Sequence, residues 1–120
     1  GLLCAGFGGQ ALFPTVAVAD GVCGAYSARV LRGVADMLRE GMEMHHCVAR
    51  LSDDCMDGDT VVCHFEKDGG VFPHTAQYVR RDGLWSLAQL RGPHNRIALC
   101  DCVDAAKLFT DHLNGVHPGR

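Results

Sequence analysis

The feature that most constrains the fold is a set of three strand-like segments in the second half of the chain. The segment "TVVCHFE" (60–66) is rich in β-branched and aromatic residues, and "HTAQYVRR" (74–81) and "LWSLAQL" (84–90) flank the dipeptide Asp82-Gly83. Asp-Gly between two such segments is a strong signal for a two-residue hairpin turn. The three segments therefore predict an antiparallel sheet, because strands joined by tight turns run in opposite directions.

Two segments with helical character frame this predicted sheet. From residue 24 to residue 41, apolar residues recur at spacings of three and four, so they share one helix face, and Gly41 is a suitable stop. The segment 103–115 predicts a short closing helix, with Asp104 as its N-cap and Gly115 as its terminator. Helix, antiparallel sheet and closing helix, in this order, predict an α+β fold.

Length, charge and cysteine count limit the classes of protein to which the chain can belong. At 120 residues, the chain is expected to form one domain over 1–120 and to act as a monomer. A net charge of −3 argues against nucleic-acid binding, and no apolar run reaches the length of a membrane span. The seven cysteines are odd in number and cannot all pair within one chain, which favours a reducing, cytoplasmic compartment.

Cys23 stands where the first predicted helix begins. Unpaired backbone amides and the helix dipole favour negative charge at such a terminus, so a cysteine there is readily ionised to the nucleophilic thiolate. Gly21 and Gly24 flank it and would let a substrate backbone approach closely. We therefore expect Cys23 to be a nucleophile whose own amide can bind an oxyanion.

A cysteine nucleophile needs a base, and His74 is the best placed of the histidines because it opens the first strand of the predicted hairpin. If Arg81 pairs with Leu84, the hairpin places Arg91 opposite His74. A slip of the register brings Gln89 opposite instead, where its amide oxygen could orient the imidazole. We therefore include Gln89 among the candidate catalytic residues.

The late cysteines suggest a metal site. Cys100 and Cys102 form a Cys-Asp-Cys sequence that follows His94, and zinc takes four nitrogen or sulfur ligands in a tetrahedron. Cys55, in a polar segment ahead of the first strand-like run, could supply the fourth ligand. Cys63 or His64 could replace it. The prediction is one structural zinc ion, which the cysteine chemistry itself does not require.

The stretch "ADGVCGAYSARVL" (19–31) resembles the Asp-Gly-x-Cys-Gly nucleophile motif of ovarian-tumour (OTU) type cysteine proteases. It is most similar to the compact papain-like protease domains of arterivirus second nonstructural proteins. The resemblance implies a papain-like or OTU-like fold in which a nucleophile helix packs on a small antiparallel sheet. It also implies that Cys23 is the nucleophile, that His74 is the general base and that Asp20 helps to form the oxyanion hole.

The same resemblance implies what the protein acts on. Members of that family cleave a viral polyprotein and remove ubiquitin from host proteins, and they carry a late zinc-binding cysteine cluster, as expected above. Other interpretations stay open: a viral leader autoprotease, a papain-fold glutamine deamidase or acyltransferase, or a zinc-stabilised interaction module without enzymatic activity. Metal content and the effect of losing Cys23 would separate the last of these from the enzymes.

Overall fold

The computed structural model describes residues 12–115 as an α+β structure built on one five-stranded antiparallel sheet, in the order β1-β2-β3-β4-β5. This confirms the predicted α+β class with an antiparallel sheet; the papain-like or OTU-like fold stays a prediction. The strands are β1 (Gly21–Cys23), β2 (Tyr26–Val30), β3 (Thr60–Lys67), β4 (Val71–Arg81) and β5 (Leu84–Arg91). The α-helices are α1 (Val34–Met44), α2 (Ser52–Met56) and α3 (Cys100–Leu113).

The three strand-like segments form the centre and one edge of the sheet, as predicted. The turn between β4 and β5 has positive φ angles at both Asp82 (53°) and Gly83 (80°). This conformation matches the twist of the flanking strands and is typical of Asp-Gly hairpins. Arg81 pairs with Leu84 across the turn, which is the register expected at the tip.

The predicted helix over 24–41 is wrong in its first part. Residues there form a hairpin in which Cys23 pairs with Tyr26, and the turn contains Gly24 with a φ of 62°. Along β2, buried and exposed residues alternate, and the buried set Tyr26, Ala28 and Val30 packs into the core. The physical reason is that β2 gains a full partner in β3, so that tertiary pairing overrides local helical spacing. Cys23 therefore ends a strand and does not begin a helix.

The closing helix begins earlier than predicted. Helix α3 starts at Cys100 after Leu99, whose side chain makes no capping hydrogen bond. Asp104 consequently lies inside the helix and not at its N-cap. Gly115 follows the helix with a φ of 75°, as expected of a terminating glycine.

Two hydrophobic clusters pack on opposite faces of the sheet. One lies under α3 and is centred on Phe65, Tyr78 and Phe109. The other lies under α1 and α2 and contains Met37 and Val62. Strand β3 is buried on both faces because its successive side chains point into different clusters.

The free edge of β5 is partly covered by a side chain. The Asn114 amide accepts a hydrogen bond from the backbone N–H of Trp85 (2.8 Å) and donates one to its carbonyl oxygen (3.0 Å). It thus acts as a short substitute for a neighbouring strand and protects this edge from pairing with another chain. Across residues 12–115, no helix combines the length and apolar character needed to cross a bilayer.

Candidate functional site

Cys23 lies in an environment that does not favour a thiolate. It is only 6% exposed and belongs to the hydrophobic cluster under α3. Burial raises the pKa of its thiol. It borders a cavity of about 180 Å³ whose lining includes Asp101 and Asp104 and no cationic side chain. The features that were expected to activate Cys23 are therefore not present around it.

His74 is also buried, and backbone groups occupy both of its ring nitrogens. Its Nδ1 donates to the carbonyl oxygen of Phe72 (2.9 Å), and its Nε2 accepts the N–H of Leu99 (3.2 Å). Burial lowers the pKa of the imidazole, which is consistent with a neutral ring in this arrangement. His74 thus ties the start of β4 to the segment that leads into α3.

The structure does not bring Cys23 and His74 together. They belong to β1 and β4, which β2 and β3 separate in the sheet. Three strand spacings place the two backbones about 14 Å apart, far beyond hydrogen-bonding reach. The ring of Tyr26 meets the ring of His74 edge-on at 6.0 Å between centroids.

The expected position of Gln89 opposite His74 is wrong. The register between β4 and β5 shifts near Gln77, so that Gln89 pairs with Gln77 and Arg91 pairs with Thr75. A bulge inserts one extra residue on one strand and cannot be inferred from turn geometry alone. Both Gln89 and Arg91 belong to a different site, described below.

Asp20 makes hydrogen bonds that hold the fold together, and it makes none with the predicted nucleophile. Its Oδ1 accepts hydrogen bonds from the backbone N–H of Val30 and from the guanidinium of Arg32, both at 2.8 Å. The carboxylate therefore braces the segment before β1 against the end of β2. The structure gives it no hydrogen bond to Cys23.

The four predicted zinc ligands are not assembled. Cys55 and Cys102 lie in the clusters on opposite faces of the sheet, and burial raises the pKa of each thiol to about 12. His94 and Cys100 are exposed. Within residues 12–115, no group of three or more His, Cys, Asp and Glu side chains is placed to hold a metal ion. Cys55 and Cys102 pack here as small apolar residues, and the zinc ion stays a prediction.

The alternative ligands Cys63 and His64 are committed elsewhere. Cys63 is fully buried in the cluster under α3, and burial raises the pKa of its thiol. His64 points to the other face of the sheet, where both of its ring nitrogens are bound by carboxylates.

A cavity of about 320 Å³ lies on the face of the sheet that α1 covers. The segment after α1 forms one wall, with His45, His46 and Cys47, and β4 and β5 form the floor, with Thr75 and Arg91. Its volume falls at the lower end of the range for small-molecule sites. It is therefore large enough for a side chain, a chain terminus or a small metabolite.

A buried chain of hydrogen bonds backs this cavity. The Nε2 atom of His46 lies 3.0 Å from Oγ1 of Thr75, whose hydroxyl donates to Glu40. The same carboxylate oxygen of Glu40 accepts from Nδ1 of His64 at 2.7 Å, and Nε2 of His64 donates to Glu66 at 2.9 Å. Glu40 itself is only 2% exposed, so its charge depends on these partners.

The two histidines of this network have opposite pKa shifts. For His64, burial disfavours the charged ring, but the hydrogen bond and the charge of Glu40 outweigh it and raise the pKa. For His46, burial dominates and lowers the pKa, although the charge of Glu40 partly offsets it. The network therefore combines a histidine that retains its proton with one that readily loses it.

Cys47 differs from the other described cysteines in combining exposure with a position in this cavity. Among the six described cysteines, only Cys47 and Cys100 are exposed, and only Cys47 lines this cavity. The sequence does not point to this site, because His45, His46 and Cys47 follow a predicted helix and belong to no recognised motif. The one available signal was the concentration of two imidazoles and a thiol in three consecutive residues.

Exposure predicts the order in which the thiols react. We expect iodoacetamide to modify Cys47 and Cys100 in the folded protein well before Cys23 or Cys102, because alkylation requires contact with solvent. Peptide mass spectrometry at increasing times measures the order, and a sample in urea, where every thiol is exposed, is the control. Modification of Cys23 as fast as Cys100 would contradict the buried position of Cys23.

The arrangement offers a thiol, an imidazole of lowered pKa and cationic side chains in one cavity. These groups can bind a polar ligand. A thiol and an imidazole in one site can also act as nucleophile and general base in covalent acyl transfer. Comparisons of the chain with models of known protein families, with curated proteins and with solved structures gave no match.

Proposed function

We propose that the protein is a cysteine-dependent hydrolase of polypeptide substrates and that its nucleophile is Cys47, with His46 as the base. One observation carries the proposal: an exposed thiol and an imidazole of lowered pKa line the same cavity. The class of reaction is the acyl transfer that a thiol and an imidazole support together, and the polypeptide substrate is taken from the proteases that residues 19–31 resemble. The position of the site comes from the geometry of the cavity.

The hydrogen bonds behind His46 support its role as a base. The Thr75 hydroxyl donates to Glu40, so its oxygen is left to accept the Nε2–H of His46. In this tautomer Nδ1 of His46 carries the lone pair. Glu40 acts through Thr75 as a positioning residue, in the way that a carboxylate fixes the tautomer of a catalytic histidine.

The reaction follows from these roles. His46 takes the thiol proton, the sulfur of Cys47 attacks the substrate carbonyl carbon, and the proton passes to the departing amine as the C–N bond breaks. Water then cleaves the thioester, which releases the acid and restores the thiol. No hydrogen bond joins the Cys47 thiol to His46 in the described structure, so proton transfer needs the two groups to approach each other or one bridging water.

The resemblance supplies the substrates to test, which are a viral polyprotein junction and ubiquitin. The experiment uses a fluorogenic ubiquitin C-terminal substrate and a thiol-reactive ubiquitin probe on the wild type and on Cys47→Ala and Cys23→Ala. We expect Cys47→Ala to lose about 10³-fold or more of the turnover, as removal of a nucleophile does, and to escape the probe. We expect Cys23→Ala to retain both, once its melting temperature shows that it is folded.

Each other result has a defined meaning. Loss of activity in Cys23→Ala alone would overturn the assignment to Cys47 and restore the nucleophile implied by the resemblance. Modification of a substrate glutamine without shortening of the chain would replace the hydrolase with a deamidase. Absence of turnover and of probe labelling in the wild type, repeated on unfolded casein, would reject the hydrolase.

A further inference from the structure

We infer that this cavity is a binding site for an oxyanion, a carboxylate or a phosphate group, held by Arg50 and Arg91. If the protein is a hydrolase, the site implies that its substrate is acidic, and this part of the inference rests on the proposed function. The binding of an anion rests only on the charges and hydrogen bonds of the cavity, and it does not require the thiol to react.

The cavity collects positive and neutral polar groups in a chain whose net charge is −3. Its lining contains two arginines, two histidines and three side-chain amides, and it contains no carboxylate. In the described part of the chain, Arg32, Arg39 and Arg80 each form an ion pair with an aspartate. Neither Arg50 nor Arg91 has such a partner among those residues. Two uncompensated guanidinium groups in one concave site favour an anion.

Arg91 carries the most specific signal. Its Nε is, in the range 12–115, the one buried side-chain nitrogen or oxygen that has no hydrogen-bond partner. A buried donor without an acceptor is unfavourable and is rare in folded proteins. Arg91 lines the cavity, and a side-chain rotation that turns Nε towards the cavity would let an oxygen of a bound carboxylate or phosphate satisfy it, through the two parallel hydrogen bonds that a planar guanidinium can form.

The carboxylate that is linked to this site through Thr75 already has hydrogen-bond donors of its own. Glu40 lies behind Thr75 and accepts hydrogen bonds from Thr75 and from His64. The buried network thus supplies its own counter-charge to His64, and Arg50 and Arg91 remain without an acidic partner in the cavity.

Three residues in or next to the cavity lining have positive φ angles. His45, His94 and Asn95 have φ angles of 55°, 58° and 62°, and they are three of the five non-glycine residues with positive φ in the described chain. The rings of His45 and His94 stack with centroids 4.5 Å apart and planes within 4°. The φ angle of His45 is that of an ordinary helix C-cap, so the unusual feature is the consecutive left-handed pair His94 and Asn95, of which Asn95 lines the cavity.

The test measures binding of inorganic phosphate and of succinate by titration calorimetry. The variants are Arg91→Gln and Arg50→Gln, and Arg81→Gln at the exposed β4–β5 turn is the matched control, since it removes the same charge outside the cavity. We expect one site per chain in the wild type, affinity lowered about tenfold or more in both cavity variants, and no change in the control. Arg50 is exposed, so Arg50→Gln tests the proposal even if Arg91→Gln does not fold.

Alkylation provides a second reading of the same site. Phosphate or succinate should slow the modification of Cys47 by iodoacetamide and leave that of Cys100 unchanged, because only Cys47 lines the cavity. A peptide with a single glutamate, compared with its glutamine counterpart, then distinguishes an acidic polypeptide from a free anion as the source of the group. Stronger protection by the glutamate peptide assigns the site to an acidic polypeptide, and protection by phosphate or succinate alone assigns it to a free small anion.

The outcomes separate this inference from the proposed function. Equal affinities in Arg91→Gln, Arg50→Gln and Arg81→Gln, or no binding of either anion by the wild type, would overturn the oxyanion site. Binding of phosphate or succinate by a wild-type protein that turns over neither the ubiquitin substrate nor unfolded casein would leave the oxyanion site in place and reject the hydrolase.

Discussion

Replacing Glu40 with alanine is expected to lower the free energy of unfolding by about 3–5 kcal/mol, as loss of one partner of a buried ion pair does. Glu40 projects from α1 and is 2% exposed. It accepts hydrogen bonds from His64 of β3 and Thr75 of β4, so its removal leaves two buried donors without an acceptor. Urea denaturation near pH 6, followed by circular dichroism, measures the change.

The matched control replaces both charged partners. A double variant, Glu40→Leu with His64→Leu, should be less destabilised than Glu40→Ala, because it leaves neither charge of the pair behind. If the double variant is instead the less stable of the two, the loss in Glu40→Ala arises from packing and not from an uncompensated buried charge.

The pH dependence of the destabilisation caused by replacing Glu40 identifies the charge on His64. The pKa of His64 is raised in the folded state above its ordinary value of 6.5. The stabilisation by its pairing with Glu40 is therefore complete below about pH 6.5 and is lost as the pH rises through the folded-state pKa. The difference in unfolding free energy between the wild type and Glu40→Gln should shrink accordingly. A difference that stays constant between about pH 5.5 and about pH 9 would contradict the assignment.

Two other histidines shift stability in the opposite sense. The pKa values of His46 and His74 are lowered by burial, so both are held neutral in the folded protein. Their contribution is present above about pH 6.5 and is lost as the pH falls through their folded-state values. In the wild type, the pH dependence from His64 is opposed by that from His46 and His74. The difference in stability between the wild type and Glu40→Gln isolates the contribution of His64.

The strands from β3 to β5 could be predicted from the sequence because their signals are local. The β-branched run at 60–66 and the Asp82-Gly83 turn specify structure within a few residues of themselves. The β1–β2 hairpin could not be predicted in the same way. Tyr26 and Val30 are spaced to suit a helix face as well as a strand face, and pairing with the distant strand β3 decides between the two.

The candidate site could not be predicted because its parts are distant in the sequence. Glu40 comes from α1, His46 from the segment after it, Thr75 from β4 and Arg91 from β5. Only the fold brings them together. The cysteine count directed attention to metal and to Cys23, whereas most of the described cysteines are buried and pack in the core. The thiol that lines the cavity, Cys47, has no motif around it.

A second large loss of unfolding free energy is expected when the packing of α3 on the sheet is disrupted. Phe109 is fully buried, and its ring meets Phe65 edge-on at 6.0 Å and Tyr78 at 5.6 Å between centroids. Its ring also lies 3.4 Å from the position that a side chain at Gly21 would occupy. Phe109→Ala should therefore lower the free energy of unfolding by about 3–5 kcal/mol, through lost burial and the cavity left behind.

Phe109→Leu is the matched control for Phe109→Ala, since it keeps most of the buried volume and should be the less destabilised variant in urea. Both substitutions act on the face of the sheet under α3, whereas Arg91 and Thr75 open onto the face that α1 covers. Alternate residues of one strand serve the two faces, so the faces share a backbone but not side-chain contacts. Phosphate affinity, measured below the melting temperature of Phe109→Ala, should therefore match that of the wild type. A parallel loss of affinity and stability would mean that α3 supports the cavity through the sheet, and that the two faces do not act independently.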